Sequence, residues 1–152
     1  MTIVTTRFGR VEVSPQALIE LPLGLIGLPS LTRFAVLEAD AGSVFRWWQA
    51  VDAPDTAFVV LDVVSVLPDY DLRGLEAEWS NLDIDAAHRH VVVLVTAPGP
   101  SLDSVTLNLA APIVVNAATR RGRQVVWPEG RYAAAVRLED ALAPKKPVEL
   151  AA

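Results

Sequence analysis

The sequence predicts an all-β fold: a small, single-domain antiparallel barrel or sandwich carrying one short helical insertion. Three observations carry that expectation. Apolar residues alternate with polar ones, or run for roughly four to eight positions, between turn-forming clusters, which is a strand signature and not a helical period. The turn clusters recur at short intervals along the chain, as they do in sandwiches and small barrels. The run Ser104–Asn116 is apolar but broken by Asn108, Pro112 and Asn116. A helix would not tolerate that pattern, since an interior proline costs about 3 kcal/mol.

Taken in order, strands are expected over Arg7–Val13, Leu18–Glu20 and Phe34–Glu38. From Val44 to Val51 a strand puts Phe45, Trp47, Gln49 and Val51 on one face and Arg46, Trp48 and Ala50 on the other, because successive side chains point to opposite sides. Ala53-Pro54-Asp55-Thr56 has turn chemistry, with proline presetting φ at the second position, so the run Ala57–Val64 folds back as a hairpin. Leu72–His90 holds most of the mid-chain carboxylates and is the helical insertion. Asp83 or Asp85 caps a short helix through Ala86-Ala87-His88. Strands resume over His90–Ala97 and Ser104–Leu109. Pro112 marks a bend at a sheet edge or bulge, because it has no N–H to give to a ladder. Ile113–Asn116 and Arg123–Trp127 form a second hairpin, with Gly122 supplying a positive φ in its loop. Residues 1–140 make one domain, and the Ala/Pro/Lys-rich stretch 141–152 reads as a disordered tail.

Composition bounds the function. The 152 residues suit one domain, which buries about 68–70% of its unfolded surface. No apolar run approaches the ~20 residues of a membrane-spanning helix. Met1–Arg7 lacks the basic-then-apolar pattern of an export signal, so a cytoplasmic protein is expected. The absence of cysteine excludes disulfides, thiolate metal sites and thiol catalysis. A net charge of −5 disfavours nucleic acid and anionic membranes and suits a basic protein partner.

Catalytic patterns are missing. His88 and His90 share a strand face, but with 2 histidines and no cysteine a zinc site lacks its remaining ligands. They read as exposed residues at a strand entrance, and no metal or other cofactor is expected. The pairs Asp69/Asp71, Glu76/Glu78 and Asp83/Asp85 have polar neighbours that would not raise a carboxyl pKa, so they read as solvated surface. Ser101, Asp103 and Ser104 lack a nucleophile elbow, and Gly24 and Gly27 lack the context of a phosphate loop. No enzyme is expected.

Binding residues are expected instead. Trp48 shares its face with Arg46 and is the candidate anchor, since aromatic residues and arginine are enriched at hot spots. Pro68-Asp69-Tyr70 ends a strand and offers Tyr70 as a rigid amphipathic contact. Asn108, Pro112 and Asn116 mark an edge whose unpaired N–H and C=O groups suit a partner. Arg121, in the basic run Arg120–Arg123, reaches for a partner's acidic side chain. A second class stays open: a small barrel that binds or turns over a small molecule in its lumen, which needs a set of polar residues converging inward, and Asn108 with Gln49 is too thin a set for that.

Four segments also resemble a known family. Asn108–Asn116, followed by Arg121-Gly-Arg-Gln-Val-Val126, is similar to the C-terminal signature of the flagellar assembly factor family FliW. Phe8–Val13 resembles its opening strand and Pro22-Leu-Gly-Leu-Ile-Gly27 its glycine-rich turn. The block from Phe45 through Trp47-Trp48-Gln49, Asp52-Ala-Pro54 and Ala57-Phe58 to Pro68-Asp-Tyr70 resembles its centre. Ile26 departs where the family commonly has a proline, and Leu28 where an aromatic is common. No one segment is specific; their shared order and spacing over residues 8–132 is. The resemblance implies a protein that binds flagellin, the filament subunit, before export. It also implies antagonism of the carbon storage regulator CsrA, a small RNA-binding dimer that represses flagellin translation. Unexported flagellin would occupy the factor and release CsrA, and the antagonism would be allosteric. Direct nucleic-acid or membrane binding is not expected, and the free chain is expected to be a monomer.

Overall fold

The computed structural model describes residues 1–38, 43–97, 99, 101–128 and 131–142. Its strands are β1 (Thr2–Thr5), β2 (Gly9–Glu12), β3 (Leu18–Glu20), β4 (Arg33–Glu38), β5 (Phe45–Ala50) and β6 (Ala57–Asp62), then β7 (Arg89–Thr96), β8 (Thr106–Leu107), β9 (Ile113–Asn116), β10 (Arg121–Gln124) and β11 (Val136–Arg137). The helices are α1 (Val63–Val66), α2 (Glu76–Asn81) and α3 (Leu138–Leu142).

Strands β3, β4, β5, β6, β7, β9 and β10 close a 7-strand barrel. From β3 to β7 neighbours run antiparallel as a meander. β9 pairs antiparallel with both β7 and β10. The ring closes between β10 and β3, where Arg121 lies opposite Glu20 and the pair is parallel. Seven strands that alternate in direction around a closed ring must meet in one parallel pair, and that seam falls between β10 and β3. The 8-residue β7 uses one edge twice: Arg89–Val92 pairs with β9, and Val95–Thr96 with β8.

Strand alternation builds the layers. Ile19, Phe34, Trp48, Val60, Val92 and Ile113 point into the lumen and form one core. Leu61, Val91, Val93 and Val114 point outward, beneath a cover made by Val63 of α1, Trp79 of α2 and the chain around Trp127. β7 and β9 are therefore apolar on both faces, which is why they read as continuous apolar runs. The β1–β2 hairpin packs outside β4 through Ile3, Val13 and Ala35.

Several sequence expectations change. Thr2–Thr5 forms a strand the sequence reading missed, and it pairs with Gly9–Glu12. The run Ala57–Val64 stops as a strand at Asp62, whose carboxylate accepts from the Ser65 N–H and caps α1. Pro112 is not at an edge. It is buried and leads directly into β9, which is paired on both sides. Its missing N–H is tolerated because the ladder begins one residue later, while its carbonyl accepts from the Val125 N–H at 2.9 Å. Gly122 lies inside β10, where a Cβ would sit 2.3 Å from the Val114 carbonyl oxygen. Close approach, and not a positive φ, requires glycine there; Arg120 takes the left-handed conformation at φ 62°. The helical insertion is present, and the Asp85 carboxylate accepts from the Ala87 N–H at 3.1 Å to open a 3-10 turn over Ala86–His88. Ala141 and Leu142, expected in the tail, complete α3; the rest of that stretch lies outside the described residues.

Candidate functional site

A cavity of about 410 Å³ opens where the turn after α1 meets α3. The chain leaves α1 through Leu67, Pro68 and Asp69, and the Tyr70 N–H closes the turn on the Leu67 carbonyl at 3.0 Å. Proline cannot prolong the helix and aspartate suits the turn, so both stay exposed while Tyr70 is drawn inward. The Tyr70 hydroxyl donates to the Leu109 carbonyl at 2.7 Å and accepts from Trp127 Nε1 at 2.6 Å. Its ring meets Trp127 edge-to-face at 6.1 Å and Tyr132 at 4.7 Å. Burial pushes the phenol well above its ordinary pKa, so it stays a neutral donor. Gly74 makes room for this cluster: a Cβ there would overlap the Trp127 ring at 2.1 Å.

Polar contacts fix the rim. The Asp71 N–H donates to the Tyr132 hydroxyl at 3.0 Å. The Asp71 carboxylate meets Arg73 at 3.1 Å and also Arg131, which lies 4.9 Å above the Trp127 ring. The Arg73 hydrogen bond holds the Asp71 carboxyl below its usual range. The cavity thus has an apolar floor of Val66, Leu67, Leu109 and Tyr132, with Asp69 and Asp140 at its mouth and Leu142 on its far wall. Such a surface can accept the apolar face of a short segment flanked by positive charge.

The other expected site residues disperse. Trp48 is only 2% exposed and fills the lumen, because the face it shares with Arg46 is the inside of the barrel. The expected anchor is thereby a core residue in this fold. Its neighbour Trp47 is the outer ring, half-buried edge-on to Phe8 at 5.5 Å and beneath Arg7 at 4.6 Å. Asn116 is buried: its amide donates to the Asp83 carbonyl at 3.3 Å and its oxygen accepts from the Ala118 N–H at 2.9 Å. Asn108 is half-buried and its oxygen accepts from the Ala111 N–H at 3.2 Å. Both amides hold turns of the chain itself. Pro112 is buried between them, so the expected receiving edge at Asn108, Pro112 and Asn116 is closed. Gln49 faces away from the lumen, and its amide donates to the carbonyls of Pro54 and Thr56 at 3.2 and 3.0 Å.

The basic run is also taken apart. Arg121 pairs with Glu20 at 3.3 Å and Arg123 with Glu78 at 3.7 Å. Arg121 remains exposed and, with Pro22 and Asp83, lines a shallow cavity of about 330 Å³. Beside it the turn that begins at Pro22 presents Leu23, Ile26 and Leu28 at 64%, 57% and 43% exposure. That turn is held firmly, since the Ile26 N–H donates to Gln124 Oε1 at 2.8 Å and Gln124 Nε2 donates to the Ala111 carbonyl at 3.1 Å.

Sequence reasoning missed Tyr132 and α3 as walls of the groove, and Trp127 as the ring packed behind them. They come from segments far from Pro68 in the chain, and Gly74 was the one signal of a close approach. Among the described residues, no three histidine, aspartate or glutamate side chains gather to hold a metal. No helix there is long and apolar enough to cross a membrane.

The family model for the FliW protein matches residues 2–138. The flagellar assembly factor FliW of Natranaerobius thermophilus is 32% identical over 133 residues, covering 87% of this chain and 88% of that protein. Flagellar assembly factor FliW 2 of Desulfotalea psychrophila is 36% identical over 126 residues, covering 83% of each. A crystal structure of the flagellar assembly factor FliW superposes with a TM-score of 0.78 at 27% identity, covering 91% of this chain and 96% of that one. With barrel, cover and nearly the whole chain matched together, this protein belongs to the FliW family.

Proposed function

We propose that this chain is a non-catalytic, cytoplasmic flagellar assembly factor that binds unexported flagellin and antagonises CsrA, so that flagellin level controls flagellin translation. Family membership supports the assembly role. The observation that carries the binding role is the groove beside Pro68, Asp69 and Tyr70. Its floor is apolar and held rigid by the Tyr70–Trp127–Tyr132 cluster, and its mouth carries Asp69 and Asp140. An amphipathic helix with flanking basic residues suits that chemistry, and rigid walls spare the receptor an ordering cost on binding. Arg121 and the exposed turn at Leu23, Ile26 and Leu28 form a second surface on different elements, open to the other partner.

Calorimetric titration with flagellin and with CsrA, each alone and in the presence of the other, tests the reading. Reciprocal weakening by one common factor is the expected result. Asp69→Arg and Leu142→Asp alter exposed groove positions and should weaken one of the two partners about tenfold, or ~1–2 kcal/mol, with unfolding unchanged. Failure of both partners to bind overturns the proposal. A stable ternary complex with additive affinities overturns the switch.

A further inference from the structure

The lumen has a polar end that the partner-binding reading does not use. On the inward faces of β4, β5, β6 and β7, the residues beyond the apolar layer of Val36, Trp48, Val60 and Val92 are Glu38, Arg46, Asp62 and His90. Each stands two residues from its apolar neighbour along the strand, so all four lie on the lumen side at its open mouth, with Arg46, Asp62 and His90 half-buried and Glu38 exposed. Charged groups facing a barrel interior are costly unless something satisfies them. A cavity of about 320 Å³ lies there, floored by Trp48, Val60 and Val92 and ringed by Arg46, Asp62, His90 and Arg120. That volume is within the roughly 300–1,000 Å³ of small-ligand sites.

The ion pairs within the ring leave Arg120 out. Arg46 lies 3.8 Å from Glu38, and His90 Nδ1 lies 3.8 Å from Asp62. Asp62 also spends an oxygen on the Ser65 N–H at the start of α1. Arg120 makes no ion pair among the described residues; its Nε donates to the Leu18 carbonyl at 3.3 Å. It is half-buried, and it holds a left-handed backbone at φ 62° that residues with a Cβ adopt only under strain. Burial lowers the pKa of this guanidinium, the direction expected of a cation short of a counter-charge.

We propose that this end of the lumen is a binding site for a carboxylate carried on a small apolar body, with Arg120 pairing the carboxylate and Trp48, Val60 and Val92 receiving the apolar part. A planar guanidinium matches a carboxylate's two oxygens, and the floor below it is wholly apolar. Two sources share that chemistry: a free small acid and the C-terminal residue of a peptide.

The test is NMR titration of the full chain with 4-methylpentanoate, with an acetylated tripeptide ending in leucine, and with the carboxamide of each. Saturable shifts of the His90 imidazole and the Trp48 indole are expected with the acids, with at least tenfold weaker binding of the amides. Arg120→Gly should abolish the acid response; it removes the cation and relaxes the left-handed backbone, so the fold is retained. The tighter acid identifies the source. No saturable response to either acid at millimolar concentration, equal binding of acids and amides, or an unchanged response in the glycine variant would overturn the proposal.

Discussion

Replacing Tyr70 by phenylalanine deletes one oxygen and leaves the ring in place, which makes it a sharp probe of the cover over the barrel. That oxygen serves two groups at once, the Leu109 carbonyl at 2.7 Å and the Trp127 indole N–H at 2.6 Å. Leu109 and Trp127 are 6% and 5% exposed, so neither is well placed to find water in exchange. An orphaned buried polar group costs about 1–3 kcal/mol. Two of them left by one deletion put the expected loss at about 2–4 kcal/mol, with the lower end applying if water enters from the adjoining groove. Urea unfolding followed by tryptophan fluorescence measures it. With an m-value of about 2 kcal/mol/M, the midpoint should fall by about 1–2 M at unchanged m. A shift below about 0.3 M at the same m would refute the geometry assigned to the hydroxyl. The same reasoning removes Tyr70→Ala as a binding test: it would loosen the cover itself, and any loss of partner affinity would follow from that.

Two further outcomes are expected. Gly122→Ala places a methyl 2.3 Å from the Val114 carbonyl oxygen, a backbone atom that cannot swing aside. The cost should be about 1–3 kcal/mol, seen as a melting temperature lowered by about 3–10 °C, and an unchanged melt would contradict the close β9–β10 packing. For His90, burial holds the imidazole below its ordinary pKa of 6.5, with Asp62 opposing and Arg120 reinforcing. The unfolded chain therefore binds the proton more readily, so stability is full above about pH 6.5 and falls as pH drops from there to the lower folded value. His90→Gln should flatten the stability profile in that window, and an identical slope in the variant would refute the assignment.

The barrel was legible because alternation and turn chemistry are local. The Val44–Val51 and Ala57–Val64 segments paired as expected, and the Asp85 cap needed only adjacent residues. What stayed hidden depended on which face of a strand turned inward. Trp47 and Trp48 had to point apart, but the sequence carries no sign of barrel curvature, so Trp48 was placed outside and the lumen received it. The same ambiguity placed His90 at an exposed entrance, where the fold turns it into the lumen mouth. Pro112 looked like an edge because a missing N–H marks edges, and one position of register makes it the residue just before a doubly paired strand. The family motif led to Pro68, Asp69 and Tyr70, yet motif residues serve the fold as readily as a partner. Of these, Pro68 and Asp69 are exposed and Tyr70 is a strut beneath them.

The parallel seam between β3 and β10 has a consequence for how this molecule breathes. Every other junction of the ring is a ladder of several paired residues, whereas this one is registered at Arg121 and Glu20 alone. Across it the Glu20 N–H donates to the Arg120 carbonyl at 2.9 Å and Arg120 Nε to the Leu18 carbonyl at 3.3 Å, and the ion pair is exposed and worth only about 0–1 kcal/mol. Transient unzipping is therefore cheapest here. When it happens, a cylinder without free rims becomes an open sheet with two raw margins, Leu18–Glu20 on one side and Arg121–Gln124 on the other. Those margins can recruit a stray strand, a second copy included. Arg121, parted from Glu20, then leaves an unpaired charge on the margin that a stray strand would have to cover.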